Sequence, residues 1–127
     1  MLDTDTCVYA MKDRIARFER YSPLDCGIST VVLGELLYGC RRSRRIAHNL
    51  KVTQAFIELV TVVQLDGDAA GVYGELRAHL AGRGEIIGAN DLWIGAHAKS
   101  LGCTLVTNNQ REFKRVPGLK LANWLAA

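Results

Sequence analysis

Long hydrophobic runs, paired cysteines and a strong charge of one sign are all missing from this chain, and each absence removes a class of function. No apolar stretch is long enough to cross a bilayer, so no membrane association is expected. A secretory leader is not visible, because Asp3 and Asp5 stand where basic residues would be needed; a cytoplasmic location is expected. The cysteines, Cys7, Cys26, Cys40 and Cys103, form no C-x-x-C pair, which leaves zinc binding and thioredoxin-like redox chemistry without support. In a reducing compartment they stay thiols and read as small, partly buried hydrophobes. The net charge is only +3, from 16 basic and 13 acidic residues, which is no nucleic-acid signature by itself. There is no repeat, low-complexity tract or linker. The two prolines, Pro23 and Pro117, fall between periodic segments, as breakers should. A chain of 127 residues has room for one domain with a real core and not for two, so 1–127 is expected to form a single domain.

What is present is a set of acids far apart in sequence, each in apolar surroundings. Asp3 follows Met1-Leu2. Glu35 lies inside the run Thr30-Val31-Val32-Leu33-Gly34-Glu35-Leu36-Leu37-Tyr38-Gly39. Asp91 opens the run Asn90-Asp91-Leu92-Trp93-Ile94-Gly95-Ala96-His97-Ala98. Carboxylates in such places are costly to desolvate unless something positive compensates. A hard divalent cation compensates, and Mg²⁺ takes oxygen ligands while keeping several waters. The first reading is therefore a small Mg²⁺-dependent enzyme. Basic residues also cluster: Arg41, Arg42, Arg44 and Arg45 fall within five positions, and Arg111, Lys114, Arg115 and Lys120 form a looser stretch. Such patches can hold phosphates, although a solvated loop or an acidic protein partner explains them equally well.

Periodicity places these residues on elements. A short strand is expected around Leu2-Asp3, then a helix from about Asp5 to Glu19 with Val8, Met11, Ile15 and Phe18 on one face. Asp5 is the better candidate to cap that helix. A brief strand at Cys26–Ile28 leads to Ser29, a good N-cap for a helix from Thr30 to about Cys40. A third helix is expected over Ser43–Leu59, with Ile46, Leu50, Ala55 and Leu59 as its apolar face. Val60–Leu65 is β-branched and reads as a buried strand. Asp66-Gly67-Asp68 opens a helix to about Ala81, and Gly82–Gly88 is a loop. Asn90 or Asp91 caps a further helix that ends at Gly102. Strands follow at Thr104–Val106 and Leu119–Leu121. Strands alternating with helices imply a parallel sheet covered on both faces, with any site at the carboxyl ends of the strands. Asp3 and Thr107 both follow directly on short apolar strands, which puts them on the same edge.

Three stretches, in order and at this chain length, carry a family resemblance: Leu2-Asp3-Thr4-Asp5, Ser29 through Gly39 around Glu35-Leu36-Leu37-Tyr38-Gly39, and Asn90 through Trp124. The chain resembles the PIN-domain ribonuclease toxins of VapBC toxin–antitoxin systems over essentially its whole length. The resemblance implies a three-layer α/β/α domain with a short parallel sheet, and an acidic pocket for Mg²⁺ or Mn²⁺. It places the family's first acid at Asp3, the second at Glu35 and the third at Asp91, as metal ligands and catalytic groups. The frequent fourth acid falls at Asn109, which brings no charge; Glu112 could supply it, and a tightly held second ion is then in doubt. Thr107 is expected to hydrogen-bond a ligand carboxylate, with Asp5 as a further supporting group. The implied reaction is hydrolysis of RNA phosphodiester bonds, in transfer RNA or another structured RNA, with Glu35 or Asp91 orienting the attacking water. The arginines 41, 42, 44 and 45, following the Glu35 helix, are candidates to guide RNA to the pocket. The resemblance also implies a homodimer and a VapB-like antitoxin. The antitoxin would lie in an apolar groove between the second and third helices, lined by Leu37, Tyr38 and Leu50.

Other readings stand beside this one. Asp3-Thr4-Asp5 after a strand also suggests a haloacid-dehalogenase-like phosphatase, with Asp3 as nucleophile and Asp5 as general acid. Cys7 stands where that family usually has Thr or Val, and Gly67-Asp68 lacks its acidic partner because position 72 is Val. A binding module without catalysis on the same fold is the third reading, permitted by Asn109. Taken singly, Asp3 and Asp91 could be helix-capping residues; together they favour a metal site. His97, among alanines, is expected to be structural. Trp93, Tyr38 and Trp124 are expected in the core or an interface.

Overall fold

The computed structural model describes residues 1–12 and 22–125. Two parallel ladders form the sheet: β1 (Gly27–Ser29) pairs with β2 (Thr61–Val63), and β3 (Leu105–Val106) pairs with β4 (Leu121–Ala122). The Met1–Asp3 segment joins them. Leu2 N donates to Gly27 O at 2.8 Å on one side, and Val106 N donates to Met1 O at 2.8 Å on the other. Asp3 N then donates to Val106 O at 2.9 Å. Leu2 pairs in parallel with Val106 and is buried. The order across the sheet is therefore β2, β1, the N-terminal segment, β3, β4. Chain order reverses between the N-terminal segment and β3, and in open parallel sheets that is where sites form, at the carboxyl edge. Asp3 and Thr107 both leave the sheet there.

The helices are α1 (Thr4–Met11), α2 (Thr30–Arg41), α3 (Ile46–Leu59), α4 (Gly67–Gly82), α5 (Ala89–Leu101) and α6 (Gln110–Phe113). The first helix was expected to reach Glu19; Ile15 and Phe18 lie outside the described residues. The main core gathers Leu2, Ile28, Val32, Leu36, Phe56, Ile94, Leu105 and Phe113 between sheet and helices. A second cluster of Leu76, Leu80, Ile87, Leu92, Ala96 and Val116 joins α4 to α5. Among the described residues no helix is long and apolar enough to cross a membrane.

Side-chain caps start three of these six helices, α1, α2 and α4. Ser29 accepts from Val31 N at 3.2 Å and Asp66 from Ala69 N at 2.9 Å. Gly102, at φ 65°, closes α5 in the left-handed conformation glycine accepts without strain. Two expected caps are corrected. Asp3, not Asp5, occupies the N-cap of α1 and accepts from Thr4 N at 2.8 Å. Gly88 occupies the N-cap of α5, so Asn90 and Asp91 sit inside its first turn. The apolar face assigned to α3 is also wrong: Ile46 and Leu59 are exposed, while Thr53 and Phe56 are buried. Thr53 turns inward because its hydroxyl meets the Cys40 thiol at 3.2 Å, a pairing no hydrophobic periodicity reveals. β2 is partly exposed rather than buried, since only β1 flanks it.

His97 is structural, as expected. It is fully buried, and its Nδ1 lies 2.9 Å from Ser29 Oγ. Ser29 Oγ also accepts from Val31 N, so one hydroxyl meets both the first turn of α2 and the His97 ring. Nε2 has no hydrogen-bond partner among the described residues. This contact ties α5, which bears Asp91, to the start of α2, which bears Glu35. Trp93 stacks on Tyr73 of α4, with ring centroids 3.7 Å apart. Trp124 packs against the main core, whereas Tyr38 is exposed with the Arg42 guanidinium 5.7 Å above its ring. The cysteines are free thiols, three of them buried.

Candidate metal centre

Four separate segments deliver the acids to the carboxyl edge of the sheet. Asp3 comes from the end of the N-terminal segment, Glu35 from the middle of α2, Asp91 from the first turn of α5 and Glu112 from α6. Each carboxylate meets a neutral donor. Asp3 Oδ1 accepts from Thr4 N, and its Oδ2 accepts from the Thr107 hydroxyl at 2.7 Å. Glu35 Oε1 accepts from the Thr4 hydroxyl at 2.6 Å, and its Oε2 from Asn90 Nδ2 at a long 3.4 Å. Asn109 Nδ2 donates to Asp91 Oδ2 at 3.1 Å and to Glu112 Oε2 at 3.4 Å. Thr107 is buried at the centre of this network, because its Oγ1 also accepts from Asn109 N at 2.9 Å.

The electrostatics match what burial of clustered acids must produce. Asp3 is 5% exposed and its pKa is raised to about 6. Burial is the main cause; the charges of Asp5 and Glu35 add to it, while the bonds from Thr107 and Thr4 oppose it. Asp91 is raised to about 7, first by burial, then by its hydrogen bond with Glu112 and the charges of Asp3, Glu112 and Glu35. A position in the first turn of a helix ordinarily favours a carboxylate, and here desolvation outweighs it. Glu112 moves the other way, below its ordinary range, chiefly because Asp91 donates to it. Among the described residues, the ion pairs include no lysine or arginine bonded to any of the four acids.

This donor set fits a hard divalent cation. Every donor is an oxygen, two of the acids are held in partly desolvated positions, and among the described residues no salt bridge from a lysine or arginine reaches them. Among the described residues no three His, Cys, Asp or Glu side chains yet converge on one point. Their oxygens are turned instead to Thr4, Thr107, Asn90 and Asn109, the hydrogen bonds a cation would replace or reinforce.

Asp5 stands apart from the ring. Its Oδ1 accepts from Thr6 N at 2.6 Å and its Oδ2 from Asn108 N at 3.1 Å, so it braces the turn that carries Asn109. With both oxygens committed to backbone, it is not the free general acid that the phosphatase reading needs. Thr4 and Asn90, the partners of Glu35, were not recognised from sequence. Their contacts span 31 and 55 residues, and only the Leu2-Asp3-Thr4 and Asn90-Asp91 adjacencies hinted at them.

Beside the acids runs a cleft of about 540 Å³ between α1, α2 and α3. Thr4 and Glu35 stand in its wall with Val8, Met11, Leu36, Gly39 and Val52, and Lys12, His48 and Asn49 add polar groups. This cleft adjoins the two helices between which a groove was expected, but α1 forms part of its wall and Leu37, Tyr38 and Leu50 do not line it. Arg41, Arg42, Arg44 and Arg45 do not line it either; they lie exposed at the C-terminal end of α2 and just past it.

A parallel sheet with acids gathered at its switch point makes this an α/β domain with an acidic site, and comparison with known proteins gives the family. The PIN domain family model matches residues 1–119, and the chain belongs to that family. It is 40% identical over 127 residues to the tRNA(fMet)-specific endonuclease VapC of Shigella flexneri, covering 98% of this chain and 96% of that one. Identity is also 40% over 131 residues with ribonuclease VapC2 of Rickettsia felis, at the same coverage. The DNA-bound VapBC of Salmonella typhimurium superposes with a TM-score of 0.91 at 39% identity, covering 98% of this chain and 96% of its counterpart. Within the PIN domains the chain is therefore a VapC-type ribonuclease of the toxin–antitoxin class, a divalent-metal-dependent group of nucleases.

Proposed function

We propose that residues 1–127 act as one PIN domain that cleaves initiator transfer RNA in the cytoplasm, with Mg²⁺ held by Asp3 and Asp91 and by Glu35 directly or through water. The observation that carries the reading is the gathering of buried Asp3 and half-buried Asp91 with Glu35 and Glu112 at one edge of the sheet, with no lysine or arginine salt-bridged to them among the described residues. When bound, Mg²⁺ supplies a Lewis acid for the phosphate and an activated water; Mn²⁺ offers the same chemistry. Glu35 has Oε1 committed to Thr4 while Oε2 is only loosely held, so it is the group assigned to orient water for in-line attack. Asn109 and Glu112 stand in place of a fourth acid: Glu112 brings the charge, and the Asn109 amide holds it beside Asp91. Thr107 fixes Asp3 and Asp5 fixes the Asn108 turn. One ion is the expected stoichiometry, because Asn109 adds no charge.

The choice of initiator transfer RNA rests on the Shigella relative, whose name specifies that substrate. Incubating purified protein with unfractionated transfer RNA and Mg²⁺ should cut the initiator species and leave the elongator species intact. Cleavage spread over all transfer RNAs, or confined to another RNA, would overturn this choice of substrate.

The arginines 41, 42, 44 and 45 are assigned to the RNA backbone. Phosphate contacts release counterions, so each lost contact lowers the salt dependence of binding. Arg44→Glu with Arg45→Glu should weaken binding and reduce the slope of log affinity against log salt by roughly 1–2. A slope equal to that of the unsubstituted protein removes these residues from the RNA path.

The partner assigned is a VapB-like antitoxin, as in the VapBC complexes that resemble this chain. Its segment would occupy the cleft between α1, α2 and α3 and reach the acids at the Thr4–Glu35 end. A homodimer is the assembly proposed for the toxin. A chain that stays monomeric at micromolar concentration in equilibrium sedimentation, and does not bind the product of the neighbouring reading frame, would contradict both assignments.

A further inference from the structure

We infer that Thr4 is a positioning residue for catalysis, acting through Glu35; this rests on the metal-nuclease reading above. Thr4 touches two acids at once. Its backbone N–H donates to Asp3 Oδ1 at 2.8 Å and its hydroxyl to Glu35 Oε1 at 2.6 Å. The second is among the shortest hydrogen bonds to any acid of the ring, and it joins the start of α1 to the middle of α2. Glu35 needs such a tether. It projects from a helix flanked by the open cleft, its other described hydrogen bond is the long one from Asn90, and a glutamate side chain has several torsions to fix. A hydroxyl donor to a carboxylate is a strong, charge-assisted bond that also fixes which oxygen is left to face water. Thr4 therefore holds Oε1 and leaves Oε2 toward Asn90 of α5, the helix that bears Asp91.

The contact to Asp3 comes from the backbone, so substituting the side chain isolates the contact to Glu35. Thr4→Val keeps the shape and removes the hydroxyl; Thr4→Ser keeps the hydroxyl and removes the methyl. Partners of this kind are worth 10–100-fold in metal affinity or activity. Thr4→Val should therefore lower kcat roughly 10–100-fold with KM within about twofold, and weaken Mn²⁺ binding to the metal-free protein roughly tenfold by calorimetry. Thr4→Ser should recover most of both losses. The proposal is overturned by a Thr4→Val kcat within twofold of wild type, by an unchanged Mn²⁺ affinity, by a loss that falls on KM, or by a Ser variant as impaired as the Val variant. Thermal unfolding of each variant checks that the fold is retained. Wild-type protein is run with Mg²⁺ and with EDTA in the same assay. Cleavage that EDTA does not suppress sinks the metal-nuclease reading itself, whereas EDTA-sensitive cleavage with an unimpaired Val variant sinks only the role of Thr4.

Discussion

Asp91→Asn should leave a folded protein that no longer cleaves RNA. The substitution keeps one oxygen that can accept from Asn109 Nδ2, so the first turn of α5 has no reason to move. It removes a negative charge from the centre of the ring, facing Asp3, Glu35 and Glu112. A bound ion supplies several kcal/mol of transition-state stabilisation. Each 1.36 kcal/mol is tenfold in rate, so loss of one charged ligand should cost roughly 10²–10³-fold in kcat/KM or more. Single-turnover cleavage of initiator transfer RNA beside an unfolding curve measures both halves of this expectation. A variant that cuts within tenfold of wild type would remove Asp91 from the centre.

The metal-free protein should be less stable at pH 8 than its acids would suggest, and a divalent ion should reverse this. The sign follows from the raised pKa values. In the unfolded chain Asp3 and Asp91 titrate near the ordinary 3.8, but in the fold they hold their protons to about 6 and about 7. Between those limits the folded state binds more protons, so stability falls as pH rises. The full contribution of these protonated acids is present below about pH 4 and lost by about pH 7. For Asp3, shifted by roughly two units, the loss is about 3 kcal/mol at most. For the Asp91–Glu112 pair the two opposite shifts partly cancel. His97 works in the opposite sense: burial holds its pKa low, so its own contribution is lost as pH falls below 6.5. Comparing wild type with Asp91→Asn cancels the His97 effect. In EDTA the variant should be the more stable protein at pH 8, and its advantage should vanish near pH 4. Adding Mg²⁺ or Mn²⁺ at 100 times its Kd should stabilise wild type by about 2.7 kcal/mol, and the variant much less. A wild type that gains stability in EDTA between pH 5 and 8 relative to the variant would show that these acids are not held as described.

The acids were legible because each breaks a local rule. Asp3 ends a strand, Glu35 interrupts an apolar helix and Asp91 opens one, and the alternation of strands and helices puts strand ends on one edge. Their partners were not legible. Thr4 to Glu35, Asn90 to Glu35 and Thr107 to Asp3 are contacts across 31, 55 and 104 residues, made by side chains whose neighbours show no period. Asn109 was read as a neutral residue in the place of a fourth acid. In the fold its amide donates, so its neutrality has a use: it holds two carboxylates side by side. The cap of α5 was misplaced because Asn90 and Asp91 are both good caps, and only the backbone at Gly88 shows the helix starting earlier. The expected lining of a groove between α2 and α3 differs from that of the cleft observed, which α1 also walls. Leu37 and Tyr38 are apolar residues that α2 turns outward, and periodicity alone does not reveal which partner a helix faces.

The most direct test of a metal-dependent nuclease at this edge of the sheet is a digest of total cellular RNA by purified protein in three arms: with Mg²⁺, with EDTA, and with EDTA followed by excess Mg²⁺. The acid ring predicts cleavage at discrete sites in the first arm, none in the second, and full recovery in the third. Cleavage that persists in EDTA, or a folded protein inert in all three arms, would contradict it.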